Sequence, residues 1–262
     1  MITPTISREV AHDRWLAADR AAIWERAEVV DVERRATITR LRLRLGTIPD
    51  LRAGQYYLVR VAVDTPPGVV EQAYSLCSSP YPPSTDVEIA VREVVGGRVS
   101  PLLAHEVQVG DQLHVRGPYG SLTWTDLDDG PLGLIGAGTG VAPLVSLVRY
   151  AAARQLVVPM TLLSSSRNPT TALLVDELEE LAVRASWFTF ARTYTRDPQD
   201  RSSQYHRRVD AAMLAEVFVT HDIARRPSTY FVAGPHDMVI ATRTALSSLG
   251  VADELIYSED HV

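Results

Sequence analysis

The sequence predicts two domains of different class in succession: an antiparallel β-barrel, then an α/β domain with a doubly wound parallel sheet. Three observations predict this. Period-two alternation, broken often by Gly, Pro and Ser, dominates to about Trp124. From Leu132 onward, short apolar strands alternate strictly with helix-period segments. Between them the polar run Asp126-Leu127-Asp128-Asp129-Gly130-Pro131 marks a boundary. The expected division is residues 1–26 as a helical extension, 27–126 as the barrel domain and 127–262 as the α/β domain.

Bulk properties bound the function. The chain has 262 residues, 46% apolar and 22% charged, ordinary for a globular protein with sizeable cores. A net charge of −6 argues against nucleic acid or an anionic membrane as the main partner. No apolar run approaches the roughly 18 residues that span a bilayer, so no membrane partner is expected. Met1-Ile2-Thr3-Pro4 does not read as a signal peptide, and the expected location is cytoplasmic. Cys77 is the only cysteine, which excludes a disulfide within the chain or a Cys-ligated iron–sulfur cluster. The seven histidines show no pair at metal-ligand spacing, and no metal is expected.

The elements follow in order. Residues 1 to about 25 read as a helix, with Arg14, Asp19, Arg20 and Glu25 interleaved among Trp15, Leu16, Ile23 and Trp24. Thr39, Leu41, Leu43 and Leu45 alternate with Arg40, Arg42 and Arg44, a strand with one wet face. Gly54 to Val61 is β-rich and ends in the turn Asp64-Thr65-Pro66-Pro67-Gly68. Further strands are expected over 73–76, 87–94 and 112–115, with a short helix-like run over 101–105. In the second domain, strands are expected over 132–135, 159–163, 187–192, 230–233 and 254–257. Helices are expected over 144–155, 172–184, 210–217 and 237–249.

The chemistry concentrates where these elements end. In Leu132 to Pro143 an apolar strand runs into Gly136, Gly138 and Gly140, and a helix starts at once. Such a turn lets backbone approach a ligand closely, and the free N–H groups at the helix start face an anion, most usefully a pyrophosphate. Three further clusters fall at strand ends or loops: Tyr74-Ser75, Gly96 to Ser100, and Ala233-Gly234-Pro235.

Taken in order, these motifs resemble those of the ferredoxin–NADP⁺ reductase superfamily over roughly residues 27–260. Gln72-Ala73-Tyr74-Ser75 corresponds to its Arg-x-Tyr-Ser/Thr flavin motif, and Gly97-Arg98-Val99-Ser100 to its Gly-x-x-Ser/Thr pyrophosphate loop. Gly117-Pro118-Tyr119-Gly120 matches its Gly-Pro-aromatic-Gly turn. Gly136 through Pro143 corresponds to its nicotinamide loop, and Ala233-Gly234-Pro235, with Met238 after it, to its Cys-Gly-Pro stretch. The resemblance implies a flavin, FAD more than FMN, and a nicotinamide. It implies that Tyr74 lies against the flavin and Ser75 at its N5 edge, with Leu76 and Val91 among the flavin contacts. Gly97 to Ser100, helped by the charge of Arg98, would hold phosphates. Gly138, Thr139, Gly140 and Pro143, with Gly234 and Pro235, would take the nicotinamide cofactor. Glu259 stands where relatives often place an acid near the flavin edge, the alternative being a solvated C-terminal carboxylate.

Two departures stand out. Gln72 replaces the family arginine, so either flavin is held more loosely or Arg60, Arg92 or Arg98 supplies the charge. Ala233 stands where many plant-type relatives have a cysteine. Ser165, Arg167 and Arg196, near the ends of the second and third parallel strands, favour a 2′-phosphate and thus NADPH over NADH. The expected protein is a reductase that moves hydride from NAD(P)H to bound FAD and then electrons to a separate acceptor. That acceptor would be a ferredoxin, an oxygenase component, a cytochrome or free flavin, because a lone Cys77 leaves no fused plant-type iron–sulfur domain. Two alternatives stand beside it: a flavin reductase that releases reduced flavin, and a non-catalytic electron-transfer or regulatory subunit.

Overall fold

A computed structural model describes residues 23–62, 68–94, 96–126, 130–218 and 227–261. The helical reading of residues 1–22, most of the turn over 64–68 and the core of the linker at 127–129 lie outside the described residues.

The first domain is built from β1 (Glu25–Arg35), β2 (Ile38–Arg44), β3 (Tyr56–Ala62), β4 (Val69–Ser75), β5 (Asp86–Arg92) and β6 (Gln112–Tyr119). They form one antiparallel sheet in the order β4-β3-β6-β1-β2-β5. The ring closes where Leu76 bridges Ile89 and the Cys77 N–H donates to the Glu88 carbonyl at 2.8 Å. Alternation in β2 works as the sequence predicts. Leu41 and Leu43 enter the core with Tyr57, Val59, Leu76, Ile89 and Val115, while Arg42 and Arg44 face water. The chain differs from expectation at its start, where β1 begins at Glu25 instead of helix continuing. A register shift between Val29 and Asp31 breaks the period-two pattern that would have announced this strand.

The second domain runs β7 (Leu132–Ala137), α1 (Val141–Ala153), β8 (Met160–Ser166), α2 (Val175–Arg184) and β9 (Phe188–Tyr194). It continues through α3 (Ala211–Phe218), β10 (Thr229–Pro235), α4 (His236–Ser248) and β11 (Ile256–His261). Its five parallel strands lie in the order β11-β10-β7-β8-β9. Successive residues of β7 serve opposite faces: Leu134 packs with Leu144, Leu162 and Phe231, and Ile135 with Leu163, Val232, Met213 and Leu246. The chain leaves β7 in one direction and returns to β10 on its other side, so a crevice opens beyond the carboxyl ends of β7 and β10. The final strand lies later than expected, because Asp253–Leu255 forms a 3-10 turn first.

Helix α1 explains how the domains join. Every residue from Val141 to Val148 is buried, because one face packs on the sheet and the other on Cys77, Ala53, Leu122 and Trp124 of the first domain. One apolar core therefore runs across the joint. No helix among the described residues is long and apolar enough to cross a membrane.

Candidate functional site

The end of β4 supplies the first group. Tyr74 and Ser75 are buried, at 8% and 6% exposure, and neither the Tyr74 hydroxyl nor Ser75 Oγ has a hydrogen-bond partner. Leaving such groups unsatisfied in a fold costs roughly 1–3 kcal/mol each, so two at adjacent positions point to a ligand that satisfies them. Burial pushes the Tyr74 phenol up, so it keeps its proton and can donate at neutral pH. Leu76 and Val91 are fully buried in the barrel core, which leaves only their backbone for a cofactor. Gln72 is exposed on β4.

The loop at 96–100 closes on itself. The Gly97 N–H donates to the Val94 carbonyl at 2.8 Å, and Ser100 Oγ accepts from the Val94 N–H at 3.0 Å. Val99 anchors the loop in the core, Arg98 is exposed, and one turn of π-helix (Leu102–Glu106) follows. The Ser100 hydroxyl therefore shapes this loop by accepting, and its own proton stays available to donate.

In the second domain the glycine loop is a 3-10 turn, Gly138–Gly140, between β7 and α1. A Cβ at Gly140 would lie 2.4 Å from the Ala233 carbonyl oxygen, so only glycine lets this loop press against the end of β10. Gly138 has φ +58°, and a Cβ there would lie 3.2 Å from Arg92 Nη1. Thr139 is half-buried, and Pro143 is buried in the first turn of α1, where a missing N–H costs nothing. Gly234 and Pro235 end β10 beside this loop, with Ala233 paired to Gly136.

Arg92 is thus a barrel residue that reaches the glycine loop of the other domain. It is half-buried, and no carboxylate among the described residues lies within ion-pair distance of it. Burial, and then the charge of Arg167, lower its pKa. A half-buried guanidinium that feels a second one, and has no acid beside it, favours an anion there. Of the three arginines considered as substitutes at Gln72, Arg60 is already held by Glu71 at 2.5 Å and stacks on Trp24. Arg92 is directed to the glycine loop.

Ser165 lies between Ala137 and Thr193 at the carboxyl end of β8. Next to it, Ser166 Oγ is buried without a partner. The Arg196 N–H donates to the Arg167 carbonyl at 2.8 Å, so both exposed guanidinium groups leave from one platform. Glu259 pairs with Ala233 across β10 and β11, at the same end of the sheet. Burial, and then Asp260, push its carboxyl up to about 7. Every residue expected in the second domain thus stands at the carboxyl ends of the parallel strands. Arg92 enters this group from the barrel, at a contact that spacing in the sequence does not announce.

The fold and these groups define a class: a flavin-binding barrel domain followed by a nicotinamide-binding α/β domain. Residues 28–124 match the oxidoreductase FAD-binding domain family, and residues 134–244 the oxidoreductase NAD-binding domain family. The chain belongs to the ferredoxin–NADP⁺ reductase superfamily. It is 28% identical over 208 residues to the reductase component of propane 2-monooxygenase from Mycolicibacterium smegmatis, covering 79% of this chain and 58% of that protein. It is 29% identical to the flavohemoprotein of Bordetella pertussis, covering 82% of this chain and 54% of that one. Among solved structures, the Amycolatopsis cytochrome P450 reductase is similar with a TM-score of 0.79 at 27% identity, over 91% of this chain and 70% of that one. The chain therefore spans little more than half the length of the two curated relatives.

Proposed function

We propose that this chain is an FAD-dependent NAD(P)H reductase that delivers electrons to a separate oxygenase component, ferredoxin or cytochrome. The single observation that carries the reading is the meeting of the two domains' polar groups. Tyr74 and Ser75 close β4 with unsatisfied hydroxyls, and Arg92 of the same barrel reaches the glycine loop that opens α1. The residues present fit both groups.

FAD bound there would supply the step from two-electron donor to one-electron acceptor. Tyr74 would offer ring area and a hydroxyl donor to the flavin, and Ser75 a hydroxyl at the edge that faces the nicotinamide. The N–H groups of the 96–100 loop would hold the flavin phosphates, and Arg98 adds charge beside them. Arg92 and the N-terminus of α1 would hold the pyrophosphate of the nicotinamide cofactor. Ser165, Arg167 and Arg196 would take a 2′-phosphate, which favours NADPH. Glu259, half-protonated near pH 7, would hold a proton at the open end of the cleft.

One observation favours a second reading. Gln72 is exposed and uncharged where the family carries an arginine, so flavin retention is weaker and reduced flavin could leave as product. The experiment is an absorption spectrum of the purified protein before and after anaerobic NADPH, then NADH. A flavin band bleached by NADPH at low concentration supports the reductase. A colourless protein that oxidises NADPH only with added flavin supports the second reading. No band and no turnover would sink both.

A further inference from the structure

Helix α1 starts at the glycine loop and runs back under the barrel, and two of its side chains grip the barrel directly after Ser75. Arg149 Nη1 donates to the Cys77 carbonyl and to Glu88 Oε1, both at 3.0 Å. Its Nε and Nη2 meet the two oxygens of Glu177 on α2, each at 2.7 Å. One turn earlier, Ser146 Oγ donates to the Ser78 carbonyl. The Cys77 N–H is in turn held by the Glu88 carbonyl, and Ser78 Oγ accepts from the Glu88 N–H. The segment 76–78 is thus bonded on one side to β5 and on the other to α1.

The Arg149 guanidinium is well buried, with 22% of its side chain exposed, so these bonds act in low dielectric and fix geometry. A packed helix is a stiff strut: from Gly140 to Arg149 it spans roughly 14 Å at about 1.5 Å per residue. Beside the cluster a cleft of about 430 Å³ is lined by Ile38 and Arg40 of the barrel and by Leu173 and Glu177 of the other domain.

We propose that Arg149 is a positioning residue: by tying Cys77 and Glu88 of the barrel to Glu177 through α1, it sets the separation between the Tyr74–Ser75 pair and the glycine loop. Its hydrogen-bond partners are Cys77, Glu88 and Glu177, none of them among the residues proposed to hold a cofactor. This rests on the reading above, in which those two places hold flavin and nicotinamide. Losing the tie lets the two rings drift from reacting distance, where misplacement of the order of an ångström costs up to about a hundredfold in rate.

The test compares Arg149→Met and Arg149→Lys with the parent chain, and with Arg154→Gln, which breaks the α1 ion pair to Asp126 at the far end of the helix. In the protein without cofactors, Arg149→Met is expected to speed amide exchange at Cys77 at least tenfold, and Arg154→Gln is not. With FAD bound, Arg149→Met should lower the saturating rate of flavin bleaching by NADPH about tenfold. It should weaken the long-wavelength absorbance of stacked nicotinamide and flavin, leave flavin content unchanged, and change KM less than threefold. Arg149→Lys should recover part of both signals. If Arg149→Met fails to fold, Glu177→Gln, which weakens only one arm of the clamp, is expected to show the same losses in smaller measure. Bleaching and stacking signals equal to the parent's in a flavin-loaded variant overturn the proposal. A parent chain that bleaches with neither nicotinamide overturns the functional reading instead.

Discussion

At the scale of single residues, Gln72 and Glu259 decide the most. Gln72→Arg restores one charge-assisted contact to a flavin phosphate, worth about 1.4 kcal/mol, and is expected to tighten FAD about tenfold in a fluorescence titration. Unchanged affinity would show that the phosphate lies out of reach of β4 and is held by the 96–100 loop alone. Glu259 has a folded-state pKa of about 7 against an ordinary 4.5, chiefly from burial. The folded chain therefore binds this proton more tightly than the unfolded chain, and between those two values stability falls as pH rises. Below about 4.5 the group has no effect, and above about 7 its full cost persists, about 1–3 kcal/mol after allowance for partial exposure. Glu259→Gln should flatten that fall when melting temperatures are followed over the same range. Equal slopes in the two proteins would place the carboxylate in open solvent.

At the scale of elements, the turn from β7 to α1 is set by contact with β10. Gly140→Ala drives a methyl group against the Ala233 carbonyl, an overpacking expected to cost about 1–3 kcal/mol in a denaturant titration and to weaken nicotinamide binding with it. An alanine variant with parental stability and affinity would mean that the loop can retreat. Elements such as this were legible because their signals are local. The three glycines followed by Pro143 announce the turn, and Leu41 and Leu43 alternating with Arg42 and Arg44 announce β2. Strand β1 was hidden because a register shift between Val29 and Asp31 disrupts the alternation. The Arg149 clamp was hidden for another reason: its partners Glu177, Glu88 and Cys77 lie 28, 61 and 72 positions away, and no periodicity encodes such a meeting. Arg92 reads in the sequence as one of three arginines able to supply the charge missing at Gln72, and only the fold brings it against the glycine loop.

At the scale of the whole molecule, the two domains share a core, since Ala53, Cys77, Leu122 and Trp124 of the barrel pack with Leu144, Leu147 and Val148 of α1. Arg35 adds an exposed ion pair across the joint to Asp176, at 3.1 Å, but a surface pair of this kind contributes little. The apolar joint and the Arg149 clamp therefore carry the coupling, and the chain is expected to unfold as one unit. FAD tests this, because the contacts proposed for it lie mainly on the barrel. At a hundredfold excess over its Kd it stabilises the folded state by about 2.7 kcal/mol. Spread over one cooperative unit of this size, that raises a single melting transition by about 5 °C in a calorimetric scan. If the domains melt separately, a barrel of roughly a hundred residues should instead move by more than about 10 °C while the α/β transition stays where it was. Arg149→Met should shift the behaviour toward that second pattern, because it removes the buried ion-pair clamp from the coupling and leaves both cores intact.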